Sequence, residues 1–403
     1  MLADQAPHTK VLRRFCVAGL LSIVVSRGVI GCLAVGLLLG GGCGGSESKQ
    51  AGAASGPRLT PRVARNLDAE FRRRVEDAGI PGASAAVVFP DGRVWSAAVG
   101  DAVLQPRQGM TTGTSLPFDQ VTNVATAALA LRLVEKGRLR LEDPVARWYP
   151  DWRGDRRATV RDLLGHTAGL GDPGEAFFRM LVRRTGARVT AREFLAATPT
   201  PGALTEEAVY SNAGFVLAGL ILERAAGGPL ATAMRRELFD APGGEGLAMQ
   251  PSERTRPPRA HSYWYPHGLG DPVDATDDSQ ILPSLAFAGA AGAAGALAGD
   301  VPSLARWGHE LFGGHVLQAK SLREMATFHD GASWDGYGLG LALDSNDDRP
   351  MWGHGGDGFG THTEFWHLPR ERLTIAMTWN DDVLDREGRI LPTLLRAALG
   401  YRK

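Results

Sequence analysis

A Tyr-x-Asn triplet, Tyr210-Ser211-Asn212, stands just ahead of an apolar run at residues 216–226. The apolar residues of that run recur at helical spacing, so the sequence predicts a turn followed by a helix. A tyrosine and an asparagine two residues apart in a short turn can face one pocket. There the phenol can accept or relay a proton, and the amide can hold a substrate or a neighbouring side chain. Alone the triplet is a weak signal, because Tyr-x-Asn also occurs by chance.

Two further motifs flank the triplet and make it more specific. Upstream, residues 163–170, with Gly165-His166 near the centre, close a predicted helix; downstream, residues 352–356 (Trp-Gly-His-Gly-Gly) open a strand pair. In this order the three motifs resemble those of the serine beta-lactamase and penicillin-binding-protein superfamily. The resemblance is greatest to the branch containing class C beta-lactamases, D-alanyl-D-alanine peptidases and related esterases, and it covers residues 61–403.

That superfamily has a further signature, Ser-x-x-Lys at the start of a long helix, from which this sequence departs. Residues 133–145 resemble the end of the family's helix and its following turn, and counting back from them places the serine position at Gln120 and the lysine position at Asn123. Upstream, Thr114 and Leu116 match residues that lead into the serine, and they indicate the same position. The nucleophile and its base are therefore both missing from the motif.

The resemblance also implies roles for other residues. In the family, the serine attacks a carbonyl group, lysine and tyrosine move its proton, and two backbone amides bind the developing oxyanion. The matching amides here would be those of Gln120 and Asp357. Gly355 and Gly356 would let a substrate lie along the strand edge. His354 stands where the family has a lysine or a histidine, as a cation or hydrogen-bond donor for a carboxylate.

Each of these residues also has a structural interpretation. His354 could be a satisfied histidine beside a glycine turn, and Tyr210 and Asn212 could be retained because the fold needs their turn. We favour the site interpretation for His354, because it follows the predicted strand that begins at Tyr337, and we expect Tyr210 and Asn212 to line the pocket. For His166 we favour a structural role, because in the family this histidine helps to cap and pack its turn.

Neighbouring hydroxyl groups are poor replacements for the missing serine. A glutamine amide is not a nucleophile at neutral pH, and Asn123 cannot act as a base. Thr122 is two residues from Gln120, about 200° around a helix, so it should face away from the pocket. Ser211 should point away from Tyr210 and Asn212. Loss of such a nucleophile costs on the order of 10⁶ in turnover in subtilisin, so we expect no efficient acyl-enzyme chemistry.

Composition limits the partners and cofactors. The 403 residues carry a formal net charge of zero with no basic cluster, which argues against nucleic acid as a partner. The three cysteines, Cys16, Cys32 and Cys43, all lie in the first segment, so the rest of the chain has neither a disulfide nor a thiol nucleophile. We expect no metal site and no cofactor.

The N-terminus is typical of a bacterial export signal. Basic residues precede apolar stretches at residues 15–25 and 29–39, and small residues surround Cys43 as at a lipoprotein cleavage and acylation site. We therefore predict a signal at residues 1–43, a lipid anchor at Cys43 and an extracytoplasmic location in the cell envelope. Cleavage at Cys32 is one alternative. A single uncleaved membrane helix is another, disfavoured because Arg27 would lie at mid-bilayer.

The predicted fold class is α/β (α+β) and beta-lactamase/transpeptidase-like, an antiparallel sheet flanked by helices with a mostly helical part inserted at about residues 118–285. A flexible linker at 44–60 precedes the domain at 61–403. Periodicity predicts the following elements: helices at 61–78, 123–136, 157–164 and 389–399, a hairpin of strands 84–89 and 93–99, a long loop at 251–283, a helix capped by Asp300, and paired strands at 364–368 and 373–379.

Three functions remain open at this point. The first is a membrane-anchored pseudoenzyme that keeps a pocket for a peptidoglycan-, peptide- or ester-like ligand. The second is an active serine hydrolase, of beta-lactamase, carboxypeptidase or esterase type, with an unusual nucleophile. The third is a structural envelope protein whose pocket has collapsed. The position of residue 120 relative to Tyr210 and His354 discriminates best among them.

Overall fold

The computed structural model describes residues 56–265, 271–331, 334–382 and 390–401. The predicted export signal, Cys43 and most of the linker lie outside these residues. The described strands are β1 (Gly82–Val88), β2 (Val94–Val103), β3 (Gln108–Gly109), β4 (Leu116–Pro117), β5 (Leu247–Met249), β6 (Tyr263–Trp264), β7 (Val273–Asp274), β8 (Leu297–Gly299), β9 (Gly336–Tyr337), β10 (Ala342–Asn346), β11 (Arg349–Gly358), β12 (Thr361–Leu368) and β13 (Leu373–Trp379).

Along the chain, the described helices precede, separate and follow these strands. They are α1 (Pro61–Ala78), α2 (Thr122–Glu135), α3 (Val145–Trp148), α4 (Val160–Leu164), α5 (Glu175–Arg183), α6 (Ala191–Ala196), α7 (Asn212–Ala226), α8 (Leu230–Met234), α9 (Leu285–Ala291), α10 (Val301–Phe312), α11 (Ala319–Met325) and α12 (Ile390–Ala398). A 3₁₀ turn at Asp119–Val121 leads into α2. No single described helix is long and apolar enough to cross a bilayer; only Asn212–Ala226 and Leu230–Phe239 taken together, bent by 71°, have the length and composition.

Eight of the described strands form one antiparallel sheet in the order β3-β2-β1-β13-β12-β11-β10-β9. The sheet joins the two ends of the chain, because β1 pairs with β13 with Ala83 opposite Trp379. Strands β1, β12 and β13 are buried along their whole length. Such strands need cover on both faces. Helices α1 and α12 supply it on one face, and α10 supplies it on the other.

Helix α2 is the centre of the helical part. All but three of its 14 residues are buried, and it packs against α7 and the glycine- and alanine-rich segment that follows α9. The small side chains of that segment allow close backbone approach, and Thr126 Oγ1 donates a hydrogen bond of 2.7 Å to Ala293 O. The low-complexity run at residues 289–299 is thus part of the core rather than a linker.

Most predicted elements are confirmed, and the differences have local causes. Helix α1 has the predicted bounds, and Asp300 caps α10 by accepting a hydrogen bond from Ser303 N. Residues 251–283, predicted as loop, contain the short β6–β7 hairpin, whose two-residue strands are too brief to show a period. Gln120, predicted in the first turn of the long helix, lies in the preceding 3₁₀ turn.

The end of β11 adjoins that 3₁₀ turn. Strand β10 pairs with β11 only as far as Gly353, whereas β12 continues along it to Gly358. The edge beyond Gly353 faces the turn instead of a strand. A Cβ added at Gly356 would lie 2.4 Å from Phe118 O, while one added at Gly355 would meet no atom nearer than 3.9 Å. Gly356 therefore permits close packing of the turn on β11. This role differs from the predicted one, in which a substrate lies along the strand edge.

This contrast yields a matched pair of variants. Gly356→Ala should lower the free energy of unfolding by about 1–3 kcal/mol, because its methyl group overlaps the turn. Gly355→Ala, with the same change in unfolded-chain entropy, should change it by no more than about 0.5 kcal/mol. Urea denaturation followed by circular dichroism measures both. Equal losses in the two variants would show that the turn does not pack against Gly356.

Candidate functional site

The Gln120 side chain contacts the end of β11. It is only 6% exposed, and its Oε1 accepts a hydrogen bond of 2.6 Å from Asp357 N. Asp357 N–H is the amide that the family resemblance identifies as an oxyanion donor. The carboxamide oxygen of Gln120 thus occupies the place at which that amide would hold a ligand's carbonyl oxygen. The Asp357 carboxylate itself pairs with His362, whose Nδ1 lies 2.5 Å from Asp357 Oδ1.

The turn that carries Gln120 is held in place by its neighbour. Asp119 has a φ of 47°, which is uncommon for a residue other than glycine but is tolerated by aspartate. Its Oδ2 accepts a hydrogen bond of 2.8 Å from Thr361 Oγ1 on β12. Burial raises the pKa of Asp119 to about 7, although that hydrogen bond acts in the opposite direction. Asp119 therefore joins the turn to the sheet, a role that the sequence analysis did not identify.

Asn123, at the lysine position, belongs to a chain of hydrogen bonds. Its Nδ2 donates to Tyr210 Oη at 3.3 Å, and Tyr210 Oη donates to Asn212 Oδ1 at 3.1 Å. Asn212 Nδ2 in turn donates to Asp172 Oδ2 at 2.7 Å. Asn212 holds neighbouring side chains rather than a substrate. Asp172, which belongs to none of the sequence motifs, closes the chain.

Burial makes Tyr210 an unsuitable base, although the hydrogen bond from Asn123 acts in the opposite direction. Burial raises the pKa of Tyr210 well above its ordinary value, and Tyr337 and Asp172 raise it further. The phenol therefore stays protonated at neutral pH and serves as a hydrogen-bond donor. The proton-accepting role considered for Tyr210 from the sequence is thus not supported by its surroundings.

His354 is buried beside Asn123 and is neutral. Burial lowers its pKa to about 4, although the hydrogen bond to Gly355 and the carboxylates of Asp357 and Glu364 act in the opposite direction. Because a carbonyl only accepts, Nδ1 carries the proton and donates to Gly355 O at 2.5 Å. Nε2 then accepts from Tyr337 Oη at 3.1 Å. Of the two roles predicted for His354, a cation or a hydrogen-bond donor for a carboxylate, burial disfavours the cation at neutral pH.

His166 has the structural role expected from the sequence. Its Nδ1 accepts a hydrogen bond of 3.2 Å from Ser211 N, and its ring lies 4.4 Å from the ring of Tyr210 and 4.6 Å from that of Tyr337. Burial lowers its pKa well below the ordinary value, so this imidazole is also neutral. It supports the turn that presents Tyr210.

The two hydroxyl groups considered as replacement nucleophiles are engaged elsewhere. Thr122 Oγ1 donates to Asp119 O at 2.6 Å and accepts from Leu297 N at 3.0 Å. Ser211 Oγ caps α7 by accepting from Gly214 N and donates to Asp172 Oδ1. The hydrogen-bond partners of Tyr210 Oη, by contrast, are the carboxamides of Asn123 and Asn212.

Aromatic rings complete the site. Trp334, which is half-buried, lies with its ring centroid 5.7 Å from Tyr210, 5.1 Å from Tyr337 and 5.5 Å from His354. No sequence motif identifies Trp334, because its neighbours Tyr210 and His354 are distant in the chain. Among the described residues there is no group of three or more His, Cys, Asp or Glu side chains arranged to hold a metal ion. The groups around Asn123 are amides, phenols and neutral imidazoles, which bind by hydrogen bonding and ring contacts.

Comparison with known proteins agrees with this architecture. The Beta-lactamase family model matches residues 67–400. Esterase EstB from Burkholderia gladioli is 31% identical over 43% of this chain and 48% of its own length. Penicillin-binding protein 4 from Amycolatopsis lactamdurans is 30% identical over 75% of this chain and 82% of its own. The chain spans about half the length of the first curated relatives that it matches.

Solved structures show the same fold. The D-stereospecific amidohydrolase from Streptomyces sp. superposes with a TM-score of 0.69 at 25% identity, covering 83% of this chain and 98% of the amidohydrolase. The large antiparallel sheet flanked by helices is therefore the beta-lactamase fold predicted from the motifs. By the match over residues 67–400, this chain belongs to the Beta-lactamase family, which joins serine hydrolases such as esterases with penicillin-binding-protein-like relatives.

Proposed function

We propose that this chain is a family member that binds an amide-, peptide- or ester-like ligand without cleaving it, at the cell envelope. One observation carries the proposal: Gln120 Oε1 accepts the Asp357 N–H at 2.6 Å. The residue that replaces the nucleophile also fills the place of the oxyanion. A ligand carbonyl can reach this amide only by displacing Gln120, and it then meets no hydroxyl from residue 120.

The surroundings of the lysine position support the same conclusion. Asn123 cannot accept a proton, Tyr210 stays protonated, and His354 is neutral with Nε2 already accepting from Tyr337. General-base activation of a nucleophile requires a group within hydrogen-bond reach that can take its proton. These side chains form an uncharged hydrogen-bond network. Such a network is better suited to ligand binding than to acyl transfer.

The class of ligand is inferred from the similar proteins and from the Asp357 N–H donor. An esterase, a penicillin-binding protein and a D-stereospecific amidohydrolase are among the similar proteins. Esters, penicillins and amides share an acyl carbonyl oxygen, the acceptor that Asp357 N–H would bind. We therefore include in the proposal that the ligand of this chain is a carbonyl compound of peptide or peptidoglycan type.

Covalent labelling tests the loss of catalysis. The purified protein should show no stable adduct with a fluorescent penicillin or a fluorophosphonate, because the Thr122 and Ser211 hydroxyls are engaged elsewhere and the described side chains around Asn123 include no base to activate a hydroxyl. In-gel fluorescence and intact-mass measurement are the readouts. An active penicillin-binding protein treated in parallel is the positive control, and heat-denatured protein is the background control. A stoichiometric adduct that maps to one residue would contradict the proposal and identify an active hydrolase with an unusual nucleophile.

The envelope location is a separate part of the proposal and rests on the sequence around Cys43. A single acyl chain holds a protein to a membrane only marginally, so stable anchoring needs more than one chain. A bacterial lipoprotein cysteine meets that need with a diacylglycerol and often an amide-linked chain. The glycines before Cys43 and the tether after it match such a site.

Fractionation of cells that produce matched cysteine variants tests this location. Wild-type protein and Cys32→Ser should fractionate with membranes, with a mature N-terminus at Cys43, whereas Cys43→Ser should be released or remain unprocessed. Immunoblotting and mass spectrometry of the N-terminal peptide are the measurements. If Cys43→Ser changes neither location nor mass while Cys32→Ser does, Cys32 is the anchor; if neither variant differs from wild type, the segment is an uncleaved membrane anchor.

A further inference from the structure

A cluster of arginines lies on α5, on the segment that follows it and at the start of α6. The whole chain has no net charge, but residues 175–192 hold five arginines and one acidic residue, Glu175. All five arginines are exposed. They are Arg179, Arg183, Arg184, Arg188 and Arg192. The sequence-based expectation of no basic cluster is therefore wrong for this segment.

Most of these charges are not neutralised by the protein itself. Arg179 pairs with Glu175 at 2.7 Å. Among the described residues, the other four arginines form neither an ion pair nor a side-chain hydrogen bond. The carboxylate of Glu193 is engaged in capping α6, where it accepts a hydrogen bond of 2.8 Å from Thr190 N. Like charges four residues apart on a helix repel, as Arg179 and Arg183 do, and a bound anion would relieve that repulsion.

Aromatic contacts join this cluster to the site. Helix α5 packs on α6, with the ring centroid of Phe177 5.6 Å from that of Phe194. The ring of Phe178, the next residue of α5, lies 6.4 Å from the ring of Phe359. Phe359 lies in the turn between β11 and β12, two residues after Asp357, whose N–H is the proposed carbonyl donor. Phe178 and Phe359 are both half-buried, so their rings link Asp357 to α5 at the surface.

The position of the cluster favours a peptide over a membrane as its anionic partner. The described chain begins at Gly56, where an added Cβ would lie 3.7 Å from Glu371 O. Glu371 is in the turn after β12, and Phe359 is in the turn before it. The eight residues of β12 separate these turns by roughly 25 Å. A chain that leads from a lipid anchor at Cys43 therefore enters the domain at the end away from the arginines.

We propose that the ligand of this site is an acidic peptide. One backbone carbonyl of the peptide accepts the Asp357 N–H in place of Gln120, and carboxylates further along it pair with the arginines of residues 179–192. The planar fork of arginine matches a carboxylate and can donate two hydrogen bonds to it. The inference rests on the proposed function, and it narrows the peptide ligands to those that carry several carboxylates.

Two matched probes test the charge requirement. The acidic peptide alternates glutamate with serine over about ten residues, and the neutral peptide has glutamine in place of each glutamate. Fluorescence anisotropy of the labelled peptides, with the full chain in a non-ionic detergent, is the measurement. The acidic peptide should bind about 10-fold or more tighter at about 50 mM NaCl, the combined effect of several exposed ion pairs. The ratio should shrink at about 500 mM NaCl because salt screens such pairs.

Matched charge-removal variants assign the effect to α5 and the segment after it. The cluster variant combines Arg183→Gln, Arg184→Gln and Arg188→Gln. The control variant makes the same change of charge at exposed arginines near the start of α1. It combines Arg58→Gln, Arg62→Gln and Arg65→Gln. The cluster variant should lose about 5-fold or more in affinity for the acidic peptide, and the control variant should keep the wild-type affinity. Circular dichroism establishes that both are folded.

Hydrogen–deuterium exchange locates the bound peptide. The acidic peptide should slow amide exchange at residues 175–192 and at residues 357–360, and leave α1 unchanged. Protection confined to residues 175–192 would overturn the inference, because the peptide would not reach Asp357. The same measurement on protein in phosphatidylglycerol and in phosphatidylcholine vesicles tests the membrane. Protection of residues 175–192 by phosphatidylglycerol alone would assign the cluster to the membrane and overturn the inference.

Failure of the inference and failure of the proposed function are distinguishable. Equal affinities for the acidic and neutral peptides, or equal losses in the cluster and control variants, would overturn the inference and leave the proposed function intact. Absence of binding by either peptide would also overturn the inference alone, because amide- and ester-like ligands other than peptides stay within the proposed function. Cleavage of either peptide, detected by mass spectrometry, would instead overturn the proposed function.

Discussion

The hydrogen bond from Asp357 N–H to Gln120 Oε1 links the features on which the site depends. It forms because the 3₁₀ turn at Asp119–Val121 packs directly on the end of β11, where the sheet has no further strand. Gly356 permits that approach, and Asp119 fastens the turn to Thr361 on β12. The family fold brings a turn and a strand end together at this point, and here a carboxamide fills the space between them.

The replacements at residues 120 and 123 are physically compatible with each other. A lysine retained at position 123 would be a buried cation, and an unpaired buried charge is strongly destabilising. Asparagine instead donates to Tyr210 and His354, both uncharged at neutral pH. The result is an uncharged set of hydrogen-bonded side chains around Asn123. Three buried polar atoms in this region have no hydrogen-bond partner among the described residues: Asn123 Oδ1, Asp119 Oδ1 and His166 Nε2.

Much of this architecture could be predicted from the sequence, and the reasons are specific. Helix α1 shows a clear apolar period, so its bounds could be predicted. The placement of Gln120 and Asn123 came from counting residues along a helix and turn without gaps. Trp334 and Asp172 could not be placed, because they lie in irregular segments where side-chain direction depends on tertiary contacts. The neutrality of His354 follows from complete burial, which a motif does not reveal.

If Gln120 occupies the place of the oxyanion, a crystal structure of the wild-type protein at a resolution that orients the carboxamide should show it. We expect Gln120 Oε1 within hydrogen-bond distance of Asp357 N and the Thr122 hydroxyl facing the opposite side of its helix. Electron density that shows Gln120 turned to solvent, with a serine or threonine hydroxyl beside Asp357 N and Tyr210 Oη, would contradict it.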